Sequence, residues 1–392
     1  MSVVIFWDRG LAMENTFIYQ ENQKGIYVAV DIGTTSIGVS CFDVETKSQL
    51  ASFSFSNPQK IYGADVITRI KNCLDTPSAE KNMSDMILIK LNESLKCYLG
   101  NNYNRISCLC YSGNTTMQHI LRCLSVEGLS KAPFTPVSLD YFECEVSHED
   151  NKAVINEAGN VRELFLPGFS AFVGADILAG VEYLGMGKSN RYDLLIDLGT
   201  NGELVLLNNQ KGYATSTACG PVFDYGISGA VYGSECIKAI AMCIKRGLID
   251  ETGLIKEPFF EKGIDISDDI TISQVQLRRF QMAKAAIYAG VISLIKKADI
   301  DYDDIENVYI SGGLGFYLNI RDAFTVKMLP EQLKDKITVS GNTSLSGAER
   351  FLLSDDKDTI LANYESIRSR TESFELADYE RFEGIYIDSM NF

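Results

Sequence analysis

Two short segments of the chain contain an aspartate, a glycine and a threonine in the same order, each between two apolar runs. The first segment contributes Asp31, Gly33, Thr34 and Thr35, and the second contributes Asp197, Gly199, Thr200, Asn201 and Gly202. A glycine at a turn lets backbone N–H groups approach phosphate oxygens closely, and a threonine hydroxyl adds a donor. An aspartate at the end of the preceding strand can organise hydrated Mg²⁺. We therefore interpret the segments as loops that bind one polyphosphate, with Asp31 and Asp197 holding the metal through water.

A third turn, with the sequence ISGGLG, joins a predicted strand to a predicted helix. Its glycines, Gly312, Gly313 and Gly315, would let an adenine and a ribose lie flat against the backbone. Because it follows the two aspartate–glycine turns, this turn completes a predicted binding site for ATP and Mg²⁺.

Two further carboxylates are candidates for orienting the water that attacks a phosphate, which is the main task in phosphoryl transfer. Glu203 comes directly after the second turn, and Asp176 lies in FVGADILAG near the start of a predicted helix. The alternative role for Asp176 is to cap that helix or compensate its dipole. The alternative for Glu203 is a solvated position on a strand.

Two other segments have both a functional and a structural interpretation. Lys284 and Tyr288 lie one helical turn apart in QMAKAAIYAGVISLIKK. Lys284 either contacts the nucleoside or belongs to core packing with its ammonium group reaching outward. In the turn from Ser112 to Thr115, backbone N–H groups face a phosphate, or Asn114 caps the following helix.

The histidines and cysteines exclude several classes of chemistry. His119 and His148 have neither Ser-His-Asp nor metal-ligand spacing, so histidine-based catalysis is unsupported, Ser-His-Asp hydrolysis is rejected, and His119 is predicted to be structural. The ten cysteines are scattered and form no CxxC pair. Cys108 and Cys110 alternate along a predicted strand, where both are expected to be buried free thiols.

Composition narrows the possible partners and location. The net charge is −16 and no basic run is present, which argues against binding to nucleic acid. The acidic excess favours solubility, or an acidic docking face for a protein partner. No segment is long and apolar enough to span a membrane, and the N-terminus lacks the features of a signal peptide, so we predict a cytoplasmic protein.

The order of the three glycine turns resembles that of the phosphate-1, phosphate-2 and adenosine motifs of the actin–hexokinase–chaperone superfamily. Within it, the chain is similar to the ATPase region of the reductive activators of corrinoid proteins, over about residues 25–390. The similar blocks are YGADVITRI, SGNTTMQHIL, APFTP, FVGADILAG, LIDLGTNGELVL, ACGPVFD, ISGGLG and SGNTSLSGAE.

This resemblance implies an α/β fold of two ribonuclease-H-like lobes with a nucleotide cleft between them. The pattern GIYVAVD–IGTTS–IGVSCFD returns as DLLIDLGTNGELVLL, which predicts a duplicated unit. We place a poorly determined leader at 1–24, the first lobe at 25–190 and the second lobe at 191–392.

By resemblance, the family uses ATP to drive electron transfer to a Co(II) corrinoid protein and return it to Co(I). The electron passes through an N-terminal ferredoxin-like domain with a [2Fe–2S] cluster. This sequence has no cysteine before Cys41 and lacks the Cys-x4-Cys-x2-Cys spacing. No iron–sulfur cluster is therefore expected in this chain, and a separate ferredoxin-like electron donor is implied. The resemblance also implies a homodimer.

Three hypotheses for the function follow. The first is an ATPase, expected to be weak, that reactivates a corrinoid protein or another low-potential metalloenzyme. The second is a small-molecule kinase, because the superfamily includes sugar and acetate kinases. The third is a nucleotide-gated interaction module without catalysis.

Overall fold

The computed structural model describes residues 25–146, 161–199, 201–219, 233–267, 270–315 and 317–392. The chain forms two compact units. The first unit contains the chain up to Tyr183 together with Ser344–Tyr364. The second contains Leu184–Thr343 together with Glu365–Phe392. The predicted leader lies outside the described residues.

Each unit is built on a mixed sheet, whose strands in the described residues have the orders β3-β2-β1-β4-β6-β5 and β13-β12-β7-β8-β9-β14. A separate pair, β10 and β11, lies in the second unit. The strands are β1 Ile26–Ile32, β2 Ser36–Asp43, β3 Gln49–Ser56, β4 Ile106–Gly113, β5 Phe142–Val146, β6 Val161–Phe165, β7 Tyr192–Leu198, β8 Gly202–Leu207, β9 Gly212–Thr217, β10 Ile264–Ser267, β11 Ile270–Ile272, β12 Ile305–Ser311, β13 Ile337–Gly341 and β14 Thr371–Ser373.

Helices connect these strands and pack on the sheets. Within the described residues they are α1 Val66–Asp75, α2 Ala79–Leu99, α3 Thr115–Leu121, α4 Ala175–Leu184, α5 Gly233–Lys245, α6 Gln274–Ala298, the single turn α7 Gly312–Gly315, α8 Ile320–Thr325, α9 Thr343–Leu353, α10 Lys357–Ser369 and α11 Phe382–Asp388.

The two sheets repeat one topology. In the first, β1, β2 and β3 form an antiparallel meander, and β4 pairs with β1 in parallel. In the second, β7, β8 and β9 form the same meander, and β12 pairs with β7 in parallel. A further parallel strand, β6 or β13, follows in each sheet. The predicted α/β class with two related ribonuclease-H-like lobes is therefore confirmed.

Apolar runs in the central strands supply the cores. Val28, Ala29 and Val30 of β1 are fully buried, as are Leu194 and Ile196 of β7. When a central strand is covered on both faces of the sheet, its sequence is a continuous apolar run rather than an alternation of apolar and polar residues. This is why the sequence predicted both strands, and why the residues that end each strand are held in place.

Helix α2 begins earlier than the sequence suggested. A serine before an apolar run is typical of a helix N-cap, which would start the helix after Ser84, but the helix starts at Ala79 and Ser84 lies inside it. The buried Ser84 hydroxyl donates to the Leu121 carbonyl at 2.7 Å. The buried stripe extends back through Met83 to Ala79, and burial of that first turn outweighs the local capping preference of a serine.

The segment Ser344–Tyr364 differs from the predicted division, which assigned 191–392 entirely to the second lobe. Helix α9 packs so closely on α4 that a Cβ atom at Gly347 would lie 2.5 Å from the Ala179 carbonyl oxygen. Arg350 of α9 also lies 3.4 Å from the buried carboxylate of Glu182 on α4. These contacts attach the segment to the first unit.

The expectation for the two cysteines of β4 is confirmed. Cys108 and Cys110 are both buried on β4, and burial raises the pKa of the Cys108 thiol to about 11. The C-terminal segment supplies β14, which pairs with β9, and α11, which packs on α6.

No helix in the described residues is both long enough and apolar enough to cross a membrane.

Candidate nucleotide-binding site

The end of β1 brings an aspartate next to two serines. Asp31, which is half-buried, is paired in register with Ser112 on the parallel strand β4. Ser344, at the start of α9, donates its hydroxyl to Asp31 Oδ1 at 2.6 Å. The hydroxyls of Ser344 and Ser112 are 3.0 Å apart. Hydroxyl donors hold the carboxylate in one orientation.

The end of β7 repeats this arrangement in the second unit. Asp197 is paired in register with Ser311 on the parallel strand β12. The Ser311 hydroxyl donates to Asp197 Oδ2 at 2.5 Å. In both units, therefore, an aspartate on the central strand lies opposite a serine of the parallel neighbour, and a glycine follows that serine. Asp31 accepts from a hydroxyl on helix α9, whereas Asp197 accepts from a hydroxyl on the neighbouring strand β12.

The turn after β1 is fixed by side chains from three other elements. Asn57 donates to the Gly33 carbonyl at 2.9 Å, and Asn114 donates to the Thr34 hydroxyl at 3.0 Å. Arg69 donates to the Thr34 carbonyl at 2.6 Å. A Cβ atom at Gly33 would lie 2.6 Å from the Ser36 carbonyl oxygen, so the close turn requires glycine there. The turn is therefore ordered by contacts within the first unit.

The turn after β7 is closed by its own backbone. The Gly199 N–H donates to the Asn201 carbonyl at 3.0 Å. A Cβ atom at Gly202 would lie 2.9 Å from Cys219 Sγ. Thr200, predicted to donate to a phosphate, lies outside the described residues.

The third glycine turn lies next to Asp197. Gly312 has a φ of +87°, and a Cβ atom there would lie 2.6 Å from Asp197 Oδ1. Gly315 packs against Ile310 at the end of β12. Gly313 is exposed, and apart from its chain neighbours and the backbone of its own helical turn, none of the described atoms lies within 4 Å of the position of its missing Cβ atom. The fold therefore requires glycine at 312, whereas position 313 leaves backbone open to a flat ligand.

The two candidate catalytic carboxylates have different surroundings. Glu203 is directly opposite Asp197 across β7 and β8, so the two side chains share one face of the sheet. It is 8% exposed, which contradicts the alternative of a solvated strand residue. Asp176 lies in the first turn of α4, where Oδ1 accepts from the Ile177 N–H at 2.9 Å. Its capping alternative therefore has direct support, and a role in orienting water stays a prediction for both residues.

Lys284 has a partner within the fold. It is fully buried on α6, and its ammonium group donates to the Asn391 carbonyl at 2.5 Å. Burial, reinforced by the nearby Lys327, lowers the pKa of Lys284 to about 7. The prediction that the Lys284 ammonium group reaches outward is therefore wrong, because the C-terminal residues cover it. A nucleoside contact by Lys284 stays a prediction.

The turn after β4 confirms two structural interpretations. Asn114 caps α3, since its Oδ1 accepts from the Met117 N–H at 2.9 Å. His119 is buried, with Nδ1 2.8 Å from the Thr115 carbonyl and Nε2 accepting from the Val137 N–H at 3.1 Å. Burial lowers its pKa. His148 lies outside the described residues.

These residues fit a magnesium nucleotide by their chemistry. Hard oxygen donors suit Mg²⁺, which keeps much of its water shell and is bound through one or two carboxylates and phosphate oxygens. Asp31 and Asp197 provide such carboxylates at strand ends. Backbone at the glycine turns suits phosphate groups and, at Gly313, a planar base. Among the described residues no cluster of three or more histidine, cysteine and acidic side chains has a metal-binding arrangement.

Comparison with known protein families shows to which family the chain belongs. A family model described as the RACo middle region matches residues 26–189. A second, described as the C-terminal domain of RACo, the ASKHA domain, matches residues 191–230 and 226–392. The chain belongs to the family of reductive activators of corrinoid proteins. Its fold is the actin-like ATPase fold, which is a nucleotide-binding fold. The two family models meet at residue 190, whereas contacts within the structure place Ser344–Tyr364 with the first unit.

Individual relatives agree with this assignment. The corrinoid activation enzyme RamQ of Eubacterium limosum is 30% identical over 94% of this chain and 70% of its own length. A Co(II) methylated amine-specific corrinoid protein reductase of Methanosarcina barkeri is 23% identical over 93% of this chain and 76% of its own length. A solved reductive activator for a corrinoid, iron-sulfur protein superposes with a TM-score of 0.83 at 27% identity, covering 95% of this chain and 67% of that one.

Sequence reasoning missed several residues that shape the site. Ser344 and Ser311 hold the two aspartates, and Asn57 and Arg69 hold the first turn. One signal was available for Arg69, because it occupies the apolar face of α1 between Val66 and Ile70. Nothing in the sequence indicated that Ser344 would reach Asp31, because such a contact between distant segments depends on the whole fold.

Proposed function

We propose that this chain binds Mg–ATP and couples its hydrolysis to the reactivation of a corrinoid protein. The observation that carries the proposal is the matched pair of strand ends, each with an aspartate held by a serine hydroxyl next to a glycine turn. A phosphate-binding role explains why both strand ends place a carboxylate beside a tight turn. Membership in the family of reductive activators supplies the substrate class.

In this proposal the residues have separate tasks. Backbone N–H groups of the turns at Gly33 and Gly199 bind phosphate oxygens. Asp31 and Asp197 hold hydrated Mg²⁺. Glu203 accepts a hydrogen bond from the attacking water and so orients it, with Asp176 as the second candidate. Gly313 provides the open backbone against which the base lies.

ATP hydrolysis cannot by itself reduce a metal. Conversion of Co(II) to Co(I) takes up one electron, and the cleavage of a phosphoanhydride bond supplies none. We therefore propose a low-potential donor, such as a separate ferredoxin-like protein, that transfers the electron to cobalt. Nucleotide turnover then changes the relative stability of two conformations that bind the corrinoid protein differently. A cytoplasmic location and a homodimer stay predictions.

Measurement of ADP release with and without a partner tests this function. The chain is incubated with Mg–ATP, first alone and then with a corrinoid protein held in the Co(II) state. We expect slow turnover that the corrinoid protein stimulates, and Co(I) absorbance only when a reduced ferredoxin is also added. Turnover that requires a sugar or acetate instead would identify a kinase, and tight ATP binding without turnover under any condition would identify an interaction module.

A further inference from the structure

Arg69 lies behind the first glycine turn and is 1% exposed, although arginine is rarely removed from water. Its guanidinium group donates from Nη2 to the Thr34 carbonyl at 2.6 Å and from Nε to the Gly63 carbonyl at 3.1 Å. Nη1 donates to Gln59 Oε1 at 3.0 Å. Burial of this charge has a large desolvation cost that the hydrogen bonds must offset, so the position suits a specific task.

Asn57 holds the same turn from the same side. This fully buried residue donates its side-chain amide to the Gly33 carbonyl at 2.9 Å and its backbone N–H to the Thr35 carbonyl at 2.8 Å. It is joined to Arg69 through Gln59, whose N–H donates to Asn57 Oδ1 at 2.9 Å. Three successive carbonyl groups of the turn thus point toward one connected set of donors.

This arrangement fixes the direction of the opposite backbone groups. In a trans peptide the carbonyl of one residue and the N–H of the next point in opposite directions. Because the carbonyls of Gly33 and Thr34 face Asn57 and Arg69, the N–H groups of Thr34 and Thr35 face away from them. Successive N–H groups that point to one side form a concave site for an anion.

We propose that Arg69 is a positioning residue that aligns the turn from Gly33 to Thr35 for the phosphates of the nucleotide. The guanidinium fork holds the Thr34 peptide plane in the orientation that phosphate binding needs, and its positive charge lies on the far side of that plane. This inference rests on the proposed ATP binding and adds a residue that touches no phosphate itself.

Binding of Mg–ATP and of AMP to Arg69→Lys tests the proposal. Lysine keeps the charge but loses the planar fork, so we expect the affinity for Mg–ATP to fall by about tenfold or more. AMP, which lacks the polyphosphate, should bind within about twofold of its affinity for the unaltered chain. A purely structural role would weaken both ligands together.

Arg105→Lys is the matched control. Arg105 is also largely buried in the first unit, but it donates to Asn102 at 2.8 Å and lies 3.4 Å from Asp43, which pairs with Ile26 at the opposite end of β1. The Arg105→Lys substitution should lower thermal stability without changing the ratio of ATP to AMP affinity.

Met117→Leu is a second variant in case Arg69→Lys does not fold. It removes the sulfur toward which Arg69 and Asn57 both donate while preserving volume, so it should fold and weaken Mg–ATP alone by about twofold or more. Unchanged Mg–ATP affinity in a folded Arg69→Lys or in Met117→Leu, or equal losses for ATP and AMP, would overturn the role of Arg69. Failure of the unaltered chain to bind Mg–ATP would instead contradict the proposed function.

Discussion

Gly312 and Gly313 are adjacent in the chain but lack side chains for different reasons. At Gly312 the positive φ and the approach of Asp197 leave no room for a Cβ atom. At Gly313 none of the described atoms beyond its chain neighbours and its own helical turn lies within 4 Å of that position. The fold thus explains the first glycine, and the proposed ligand explains the second. Substitutions at these two positions therefore test the nucleotide site separately from the stability of the fold.

Replacement of each glycine should separate stability from binding. Gly312→Ala should lower the free energy of unfolding by about 1–3 kcal/mol, because alanine is strained at this φ and meets Asp197. Gly313→Leu should change it by no more than about 0.5 kcal/mol yet weaken Mg–ATP, because the side chain fills the open space. Urea unfolding and calorimetric titration measure the two effects. Full ATP affinity of a Gly313→Leu variant would show that the turn at Gly312–Gly315 does not bind the nucleotide.

Lys284 should make stability depend on pH. Burial lowers its pKa to about 7 in the folded chain, whereas an unfolded lysine titrates near 10.4. Between these values the unfolded state binds a proton that the folded state does not, so the contribution of Lys284 to stability rises with pH. The free energy of unfolding of the unaltered chain, relative to Lys284→Met, should therefore increase by up to about 1.4 kcal/mol per pH unit above about pH 7.

Denaturant unfolding at several pH values between about 7 and 9 checks this prediction. Lys296→Met is the control, since Lys296 is exposed on the same helix α6. Parallel pH profiles for the unaltered chain and Lys284→Met would show that Lys284 stays charged in the folded state.

At the scale of elements, α9 has two tasks. Its first turn carries Ser344 to the Asp31 carboxylate, and its next turn brings Gly347 against α4. The close approach at Gly347 therefore fixes where Ser344 lies along the end of the sheet. The carboxylate at β1 depends on a helix that is more than three hundred residues away in sequence, as the Ser344–Asp31 separation of 313 residues shows.

A methyl group at Gly347 should separate α9 from α4. Gly347→Ala places Cβ against the Ala179 backbone, so it should lower the free energy of unfolding by about 1–3 kcal/mol and weaken Mg–ATP through Ser344. Gly384→Ala is the matched change on α11. There, apart from the chain neighbours and the helix's own backbone, none of the described atoms lies within 4 Å of the added Cβ atom, and alanine should add about 0.5–1 kcal/mol of stability. Equal effects of the two substitutions on unfolding would contradict this account of α9.

The elements also show what the sequence could and could not predict. Central strands such as β1 and β7 could be predicted from the sequence, because a strand buried on both faces is a continuous apolar run, here followed by a glycine turn. The segment that forms α9 resembles the family in sequence, but its attachment to the first unit depends on a contact of Gly347 that no local pattern encodes. For the same reason the sequence identified Asp31 but not Ser344, which orients it.

At the scale of the whole chain, the repeated topology places the two aspartate–glycine motifs at equivalent positions of the two sheets. Both sheets place the first strand of a meander next to a parallel strand, and in both a serine at the end of that parallel strand is followed by a glycine. We propose that both copies of the duplicated unit contribute, so that each of the two aspartates is needed for nucleotide binding.

Calorimetric titration of Mg–ATP into the unaltered chain, Asp31→Asn and Asp197→Asn tests this central claim most directly. Asparagine keeps the shape of each side chain and removes the charge that Mg²⁺ needs. We predict one ATP per unaltered chain, loss of most of the binding heat in both variants, and full binding by Asp265→Asn, which alters an exposed aspartate on β10. Unchanged binding of Mg–ATP by either Asp31→Asn or Asp197→Asn would contradict the account.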